Sequence, residues 1–283
     1  MNPPVVTTIG DKEDAEWLFR LLQQISQLSE GAILTDSERA EFIAARMRLI
    51  EILRQCNDAR RELFRLADEH IAQVAEGKGV FVNESGALVI EDDIGPRLNR
   101  VVNSFFVPAR TALYHLCGQK PAGGKPPAKS ILEILTGFNF GFIFIFDQAK
   151  FEQAAQKYLD AVPGVRSKAL IDTMRSDRTS WTLGLQEIRD TIIHDTEYDG
   201  LKMLYKGNGQ KVAIGFPRLN NIPIFEFVEM FWNNLIDFCE EMIVMALCTR
   251  MPPLLAIDRI PEDQRNGELP YRWQGILLNE PTP

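Results

Sequence analysis

One stretch decides the class of fold. From Asp36 to about Glu76, apolar residues recur at helical spacing. Phe42, Leu49, Leu53, Cys56, Leu63, Ala67 and Ile71 share one face. Thr35-Asp36-Ser37 supplies N-cap candidates ahead of it, and Gly77 and Gly79 end it. A helix this long must lay its apolar stripe against other helices. The rest of the chain offers them. Asp11–Leu28 places Trp17, Leu18, Leu21, Leu22, Ile25 and Leu28 on one side, with acidic residues at its start, where the helix dipole favours them. Ile94–Cys117 reads as a helix with Pro96 tolerated in the first turn and Pro108 expected to kink or split it.

Ser130 to about Ala161 reads as helical throughout. Phe138, Phe140, Phe142, Phe144 and Phe146 alternate as a strand would, but the Ala/Gln/Lys pattern after Asp147 favours a buried helix. Pro163-Gly164 is a break. A short helix follows at Val165–Met174, then one from Trp181 to about Asp195 with Ser180 as its cap. A long helix runs from Ile224 to Thr249 and stops at Met251-Pro252-Pro253. Two short β-rich pairs flank Gly-containing turns: Val80–Val82 with Ala87–Ile90, and Lys202–Lys206 with Lys211–Phe216. The expected fold is mainly α, a multi-helix bundle with two small β-hairpins. The Pro/Gly-rich stretch Gly118–Lys129 divides an N-terminal helical region with a hairpin (1–120) from a second helical domain (130–250), or is one loop of a single bundle. An extended Pro-rich tail (251–283) carries Trp273, Ile276, Leu277 and Leu278, which mark it as packing on something.

Composition narrows the function. The 283 residues include 31 Lys+Arg against 39 Asp+Glu, a net charge of -8. A chain that coats duplex DNA by charge alone is basic, so the balance argues against that role while leaving room for a local basic patch. Cys56, Cys117, Cys239 and Cys248 form no C-x-x-C pair, which excludes a zinc ribbon or thioredoxin-type site and points to free thiols in a reducing compartment. The segment Met1–Asp14 lacks the pattern of a secretory signal, and the densest apolar run, Phe138–Phe146, is far short of a membrane span. The expectation is a soluble cytoplasmic protein.

The only histidines are His70, His115 and His194. His70 and His115 fall within helical patterns and read as packing or surface residues. His194 stands in Ile188-Arg189-Asp190-Thr191-Ile192-Ile193-His194-Asp195. Asp190 lies four residues before it, so on a helix the carboxylate can hold the imidazole in one tautomer and raise its basicity. Arg189 is a permanent cation suited to a phosphate. The same residues also fit a helix-terminal imidazolium held by the dipole and an i,i+4 aspartate.

This stretch resembles the hallmark of the HEPN superfamily, Arg-x(4–6)-His with Asn, Asp or His commonly after the Arg. Here the match is Arg189, Asp190 and His194, and the resemblance extends over about Ser130–Thr249. It implies a helical bundle with the motif late in an internal helix and a long helix after it. It also implies a metal-independent ribonuclease whose site is completed across a homodimer, without cofactor. His194 would be general acid or base, Arg189 would stabilise the phosphorane and Asp190 would orient His194. Such a protein would serve as an RNA-cleaving toxin or defence effector, and DNA would resist it for want of a 2′-OH. Other members are inactive, and a non-catalytic protein that binds a protein partner, such as an antitoxin, a nucleotide or RNA stays open, as does a helical scaffold with an accidental motif.

Basic residues ahead of the motif, Arg166, Lys168, Arg175 and Arg178, are the weaker RNA-binding candidates, together with Tyr198 as a base-stacking ring. Arg39, Arg46, Arg54, Arg61 and Arg65 share an arc of the long helix but read as a solvated face beside Glu51, Asp58, Glu62 and Glu69. Glu229, Asn233, Asp237 and Glu241 read as a polar face, because no His has a Glu three residues before it as a di-metal site needs. No metal site is expected. Gly118–Lys125 fails phosphate-loop spacing.

Overall fold

The structure, a computed structural model, describes residues 16–84, 88–90, 94–118, 128–141, 144, 147–185, 187–188, 203–208, 211–219, 221–265 and 270–278. It is mainly α with small two-stranded sheets. Helix α1 covers 16–30 and contains a π-helical turn at Arg20–Gln24. Helix α2 is the long one, Asp36–Ala75. A capping box starts it: the Thr35 hydroxyl accepts from the Glu38 N–H at 3.2 Å, and the Glu38 carboxylate accepts from the Thr35 N–H at 2.8 Å. Gly77 ends it in the left-handed region, with φ 73°.

Strands β1 (Val80–Val82) and β2 (Leu88–Ile90) form the first hairpin, with Val80 opposite Ile90. Helix α3, Gly95–Cys117, continues through Pro108 without splitting. The missing N–H removes one backbone bond, yet Phe105 and Phe106 before the proline and Ala109, Ala112 and Leu113 after it are all buried.

The single helix expected over 130–161 is broken. Helix α4 is only Ile131–Thr136, capped by the Ser130 hydroxyl, and Gly137 closes it at φ 77°. Helix α5, Gln148–Ala161, starts afresh at Asp147, whose carboxylate accepts the Lys150 N–H at 3.0 Å. The ordinary cap chemistry of Gly137 and Asp147 overrides the apolar periodicity between them. Gly137→Ala should therefore cost about 1 kcal/mol in urea denaturation, because a Cβ is penalised in that conformation.

A second expected break is absent. Helix α6, Val165–Asp177, runs directly into a π-helical turn at Arg178–Thr182 and on through 183–185 and 187–188. Ser180 is not a cap, for its hydroxyl donates back to the Asp177 carbonyl. Trp181 Nε1 bonds Asp177 Oδ1 at 2.8 Å across the turn. Strands β3 (Leu204–Asn208) and β4 (Lys211–Gly215) form the second expected hairpin. A two-residue pair, β5 (Arg218–Leu219) and β6 (Ile222–Pro223), leads into α7, Ile224–Thr249. The tail is extended as expected, but its strands also pair: β7 (Leu255–Arg259) with β8 (Trp273–Leu277).

The chain divides into two compact units. The first takes its described residues from Arg54–Pro108 and Glu187–Asn233. Its core is aromatic: Phe106 lies 6.1 Å from Phe227 and 5.9 Å from Phe231, and Phe225 lies 4.8 Å from Phe216. The second takes them from Gly10–Leu53, Ala109–Gln186 and Asn234–Pro283. There Phe238 of α7 stacks on Phe144 at 5.6 Å and meets the edge of Trp181 at 5.7 Å. Tyr158 meets Phe140 at 5.5 Å. Among the described residues no helix is long and apolar enough to cross a membrane. Cys56, Cys117 and Cys239 are buried.

Candidate functional site

Arg189, Asp190, His194 and Tyr198 lie outside the described residues. The chain just ahead of them is described. Ile188 is helical and buried, and Glu187 is exposed.

The basic residues upstream have internal partners. Arg166 donates to the carbonyls of Cys248 at 2.9 Å, Met251 at 3.2 Å and Leu255 at 2.6 Å. It thus caps the C-terminal end of α7, where a cation suits the helix dipole. Arg175 grips the Glu152 carboxylate from α5 with Nε at 3.0 Å and Nη2 at 2.6 Å, and also reaches Asp172. Arg178 is buried, bonding the Phe144 carbonyl at 2.7 Å and the Gln148 amide. Lys168 is exposed.

The arginine arc on α2 is not one solvated face. Arg65 pairs with Glu62 and Glu69, and Arg39 donates to the carbonyls of Ser29 and Ala32. Arg46 is buried, its guanidinium 5.6 Å from the Phe42 ring and 3.0 Å from the Ser26 hydroxyl. Its stem packs as an apolar chain would.

The first unit holds a polar group centred on Arg60, a residue the sequence pattern did not single out. Arg60 is buried on α2, with Nε 2.5 Å from Glu229 of α7, Nη1 2.9 Å from Asn57, and its guanidinium over the Trp232 ring at 5.4 Å. Glu229 thus belongs to a half-buried ion pair rather than a free polar face. His70, also buried on α2, bonds the Tyr205 hydroxyl of β3 through Nε2 at 2.7 Å. This bond ties β3, which follows the motif in sequence, to α2. Tyr205→Phe should cost about 1–2 kcal/mol in urea denaturation, because it deprives a buried ring nitrogen of its partner. An unchanged midpoint would show that the bond does not hold the hairpin.

The second unit holds a denser cluster. Arg20 and Gln24, both in the π-helical turn of α1, face Asp237 and Glu240 of α7. Arg20 Nη1 lies 3.0 Å from Glu240 and 3.3 Å from Asp237. Gln24 Nε2 donates to Glu240 at 2.6 Å, and its Oε1 accepts the backbone N–H groups of Arg272 at 2.6 Å and Trp273 at 2.9 Å. Arg272 completes the set at 2.5 Å from Asp237. Burial raises the pKa of Glu240, opposed by Arg20, Gln24 and Arg272. Burial also raises those of Glu241 and Asp177. Arg20 and Gln24 stand among Trp17, Leu21, Ile25 and Leu28 on the buried stripe of α1, so a polar pair at i,i+4 within an apolar seam was the available signal.

This cluster pins the hairpin to the helices, and Arg20, Gln24, Asp237, Glu240 and Arg272 each have a charged or hydrogen-bonding partner within it, although Arg20 Nε makes no hydrogen bond. Such mutual pairing is the signature of structure rather than of a reacting group. Among the described residues no group of three or more His, Cys, Asp or Glu could hold a metal ion. No family model, curated protein or solved structure matches the chain.

Proposed function

We propose that the chain is a metal-independent endoribonuclease of HEPN type, working as a homodimer in the cytoplasm as a toxin or defence effector. The observation that carries this reading is Arg189-Asp190-x3-His194 in a mainly α chain, with the long helix α7 after it. In the proposed reaction the ribose 2′-oxygen attacks the adjacent phosphorus and the bond to the 5′-oxygen breaks. One His194 takes the 2′-OH proton, and its counterpart on the second protomer returns one to the leaving 5′-oxygen. An imidazole, with an ordinary pKa of about 6.5, suits both tasks at neutral pH. Arg189 meets the charge that builds on the phosphorane. Asp190 holds the imidazole in its working tautomer. The products are a 2′,3′-cyclic phosphate and a 5′-hydroxyl.

One observation favours a second reading, a HEPN-like helical protein that binds a protein partner such as an antitoxin, a nucleotide or RNA without cleaving it. Arg166, Arg175 and Arg178 serve internal partners, which thins the basic approach to the motif. Incubating the purified full chain with labelled single-stranded RNA in EDTA separates the two. Cleavage with cyclic phosphate ends is expected. A folded, dimeric protein that leaves every RNA intact removes the nuclease reading.

A further inference from the structure

Between α1 and the β7–β8 hairpin, within the second unit, lies a half-enclosed cavity of about 450 Å³. Its volume falls in the range of roughly 300–1,000 Å³ typical of small-molecule sites. Met251, Leu255, Tyr271 and Trp273 line it beside the amides of Gln27 and Gln274. None of its lining residues is Asp, Glu, Lys or Arg, in a chain where 25% of residues are charged.

The nearby charges are already matched. Gln24 is the wall residue that touches the ion cluster, and both ends of its amide are engaged, with Glu240 and with the backbone of Arg272 and Trp273. A charged ligand would therefore lose its hydration and find no counter-charge on the wall. An uncharged one loses little and gains contact with an indole, a phenol ring and a thioether. Two wall positions carry no side chain. At Gly31 a Cβ would stand 3.3 Å from Met251 Sδ, and at Gly275 it would meet nothing within 4 Å.

We propose that this cavity is a binding site for an uncharged small molecule with an apolar, ring-containing body. The occupant touches α1, the chain just after α7, and the hairpin together. Its binding free energy therefore adds to the stability of that assembly by mass action. The inference stands independently of RNA cleavage.

The test uses N-phenyl-1-naphthylamine, an uncharged probe that fluoresces on leaving water, titrated into the full-length protein. One saturable site is expected, with a melting temperature that rises with probe concentration. Gly275→Leu and Gly275→Phe, which project from the hairpin face that carries Leu255 and Trp273, should each bind the probe at least about ten-fold more weakly while keeping the wild-type melting temperature without probe. The anionic analogue 8-anilinonaphthalene-1-sulfonate should bind at least about ten-fold more weakly than the neutral probe. The proposal is overturned by non-saturating binding, by equal affinity in a folded filled variant, or by equal affinity for the anion. If one filled variant fails to fold, the other and the charge comparison still decide.

Discussion

His194→Ala is expected to lower RNA cleavage by about 10²–10⁴-fold, the ordinary contribution of a positioned general acid or base. Arg189→Ala should cost about 10²–10³-fold, as removal of a transition-state charge partner does. Arg189→Lys should not restore full rate, because a point charge cannot reproduce the planar fork of a guanidinium on phosphate oxygens. A composite site adds a further expectation. Dimers that pair one wild-type protomer with one His194→Ala protomer should also cleave slowly, because a single remaining imidazole leaves either the base or the acid role unfilled. The measurement is initial rate on labelled RNA in EDTA, with thermal unfolding of each variant alongside. Equal rates for wild type and both variants would trace the activity to a contaminant and end the assignment to these residues.

Arg20→Met is expected to have the largest effect on stability, about 3–5 kcal/mol at pH 7, because it removes the nearest cation from the buried Glu240 carboxylate and leaves Gln24 and the more distant Arg272 to hold it. The pH dependence has a definite sign. Burial lifts the Glu240 pKa above its ordinary 4.5, and Arg20 pulls it down. A raised carboxyl pKa means the folded chain holds that proton more tightly than the unfolded chain does. Its contribution to stability is therefore full below the unfolded pKa and is lost as pH rises through the folded one. Removing Arg20 lifts the folded pKa further, so the variant loses more stability than wild type as pH rises from about 4 to 7. Urea denaturation at both pH values reads the difference. Glu240→Gln in the Arg20→Met background should recover much of the loss by removing the carboxylate charge. An Arg20→Met penalty equal at both pH values would show that the Glu240 charge is not what the arginine holds.

Local chemistry explains which elements were legible in the chain itself. The long helix starts where Thr35 and Glu38 cap it and ends beside Gly77, and α7 spans Ile224–Thr249, as its apolar spacing and the prolines after it require. Both expected hairpins are present. Periodicity misled where two segments share it. Over 130–161 it hid the caps at Gly137 and Asp147. At Ser180 a good cap residue sits inside a continuous helix, because the π-helical turn keeps the chain winding and Trp181 bonds back to Asp177. A single sequence cannot show whether a capping side chain or the continuing helix wins, since packing on Phe238 decides it.

The site divides differently. Arg189, Asp190 and His194 read as a motif because the proposed chemistry depends on spacing along one segment. The ion cluster does not. Arg20 and Glu240 are separated by most of the chain, and each alone reads as an ordinary charged residue on an amphipathic helix. What the sequence by itself determined is the helical class, the main caps and hairpins, and the one reactive-looking motif, all set by interactions within a few residues. Only the tertiary structure decided that Arg166 closes the end of α7, that Arg46 is buried, and that Gln24 joins α1, α7 and the C-terminal hairpin. The physical reason is that the partner of a buried polar group is fixed by which distant segments exclude water together, and no local spacing encodes that.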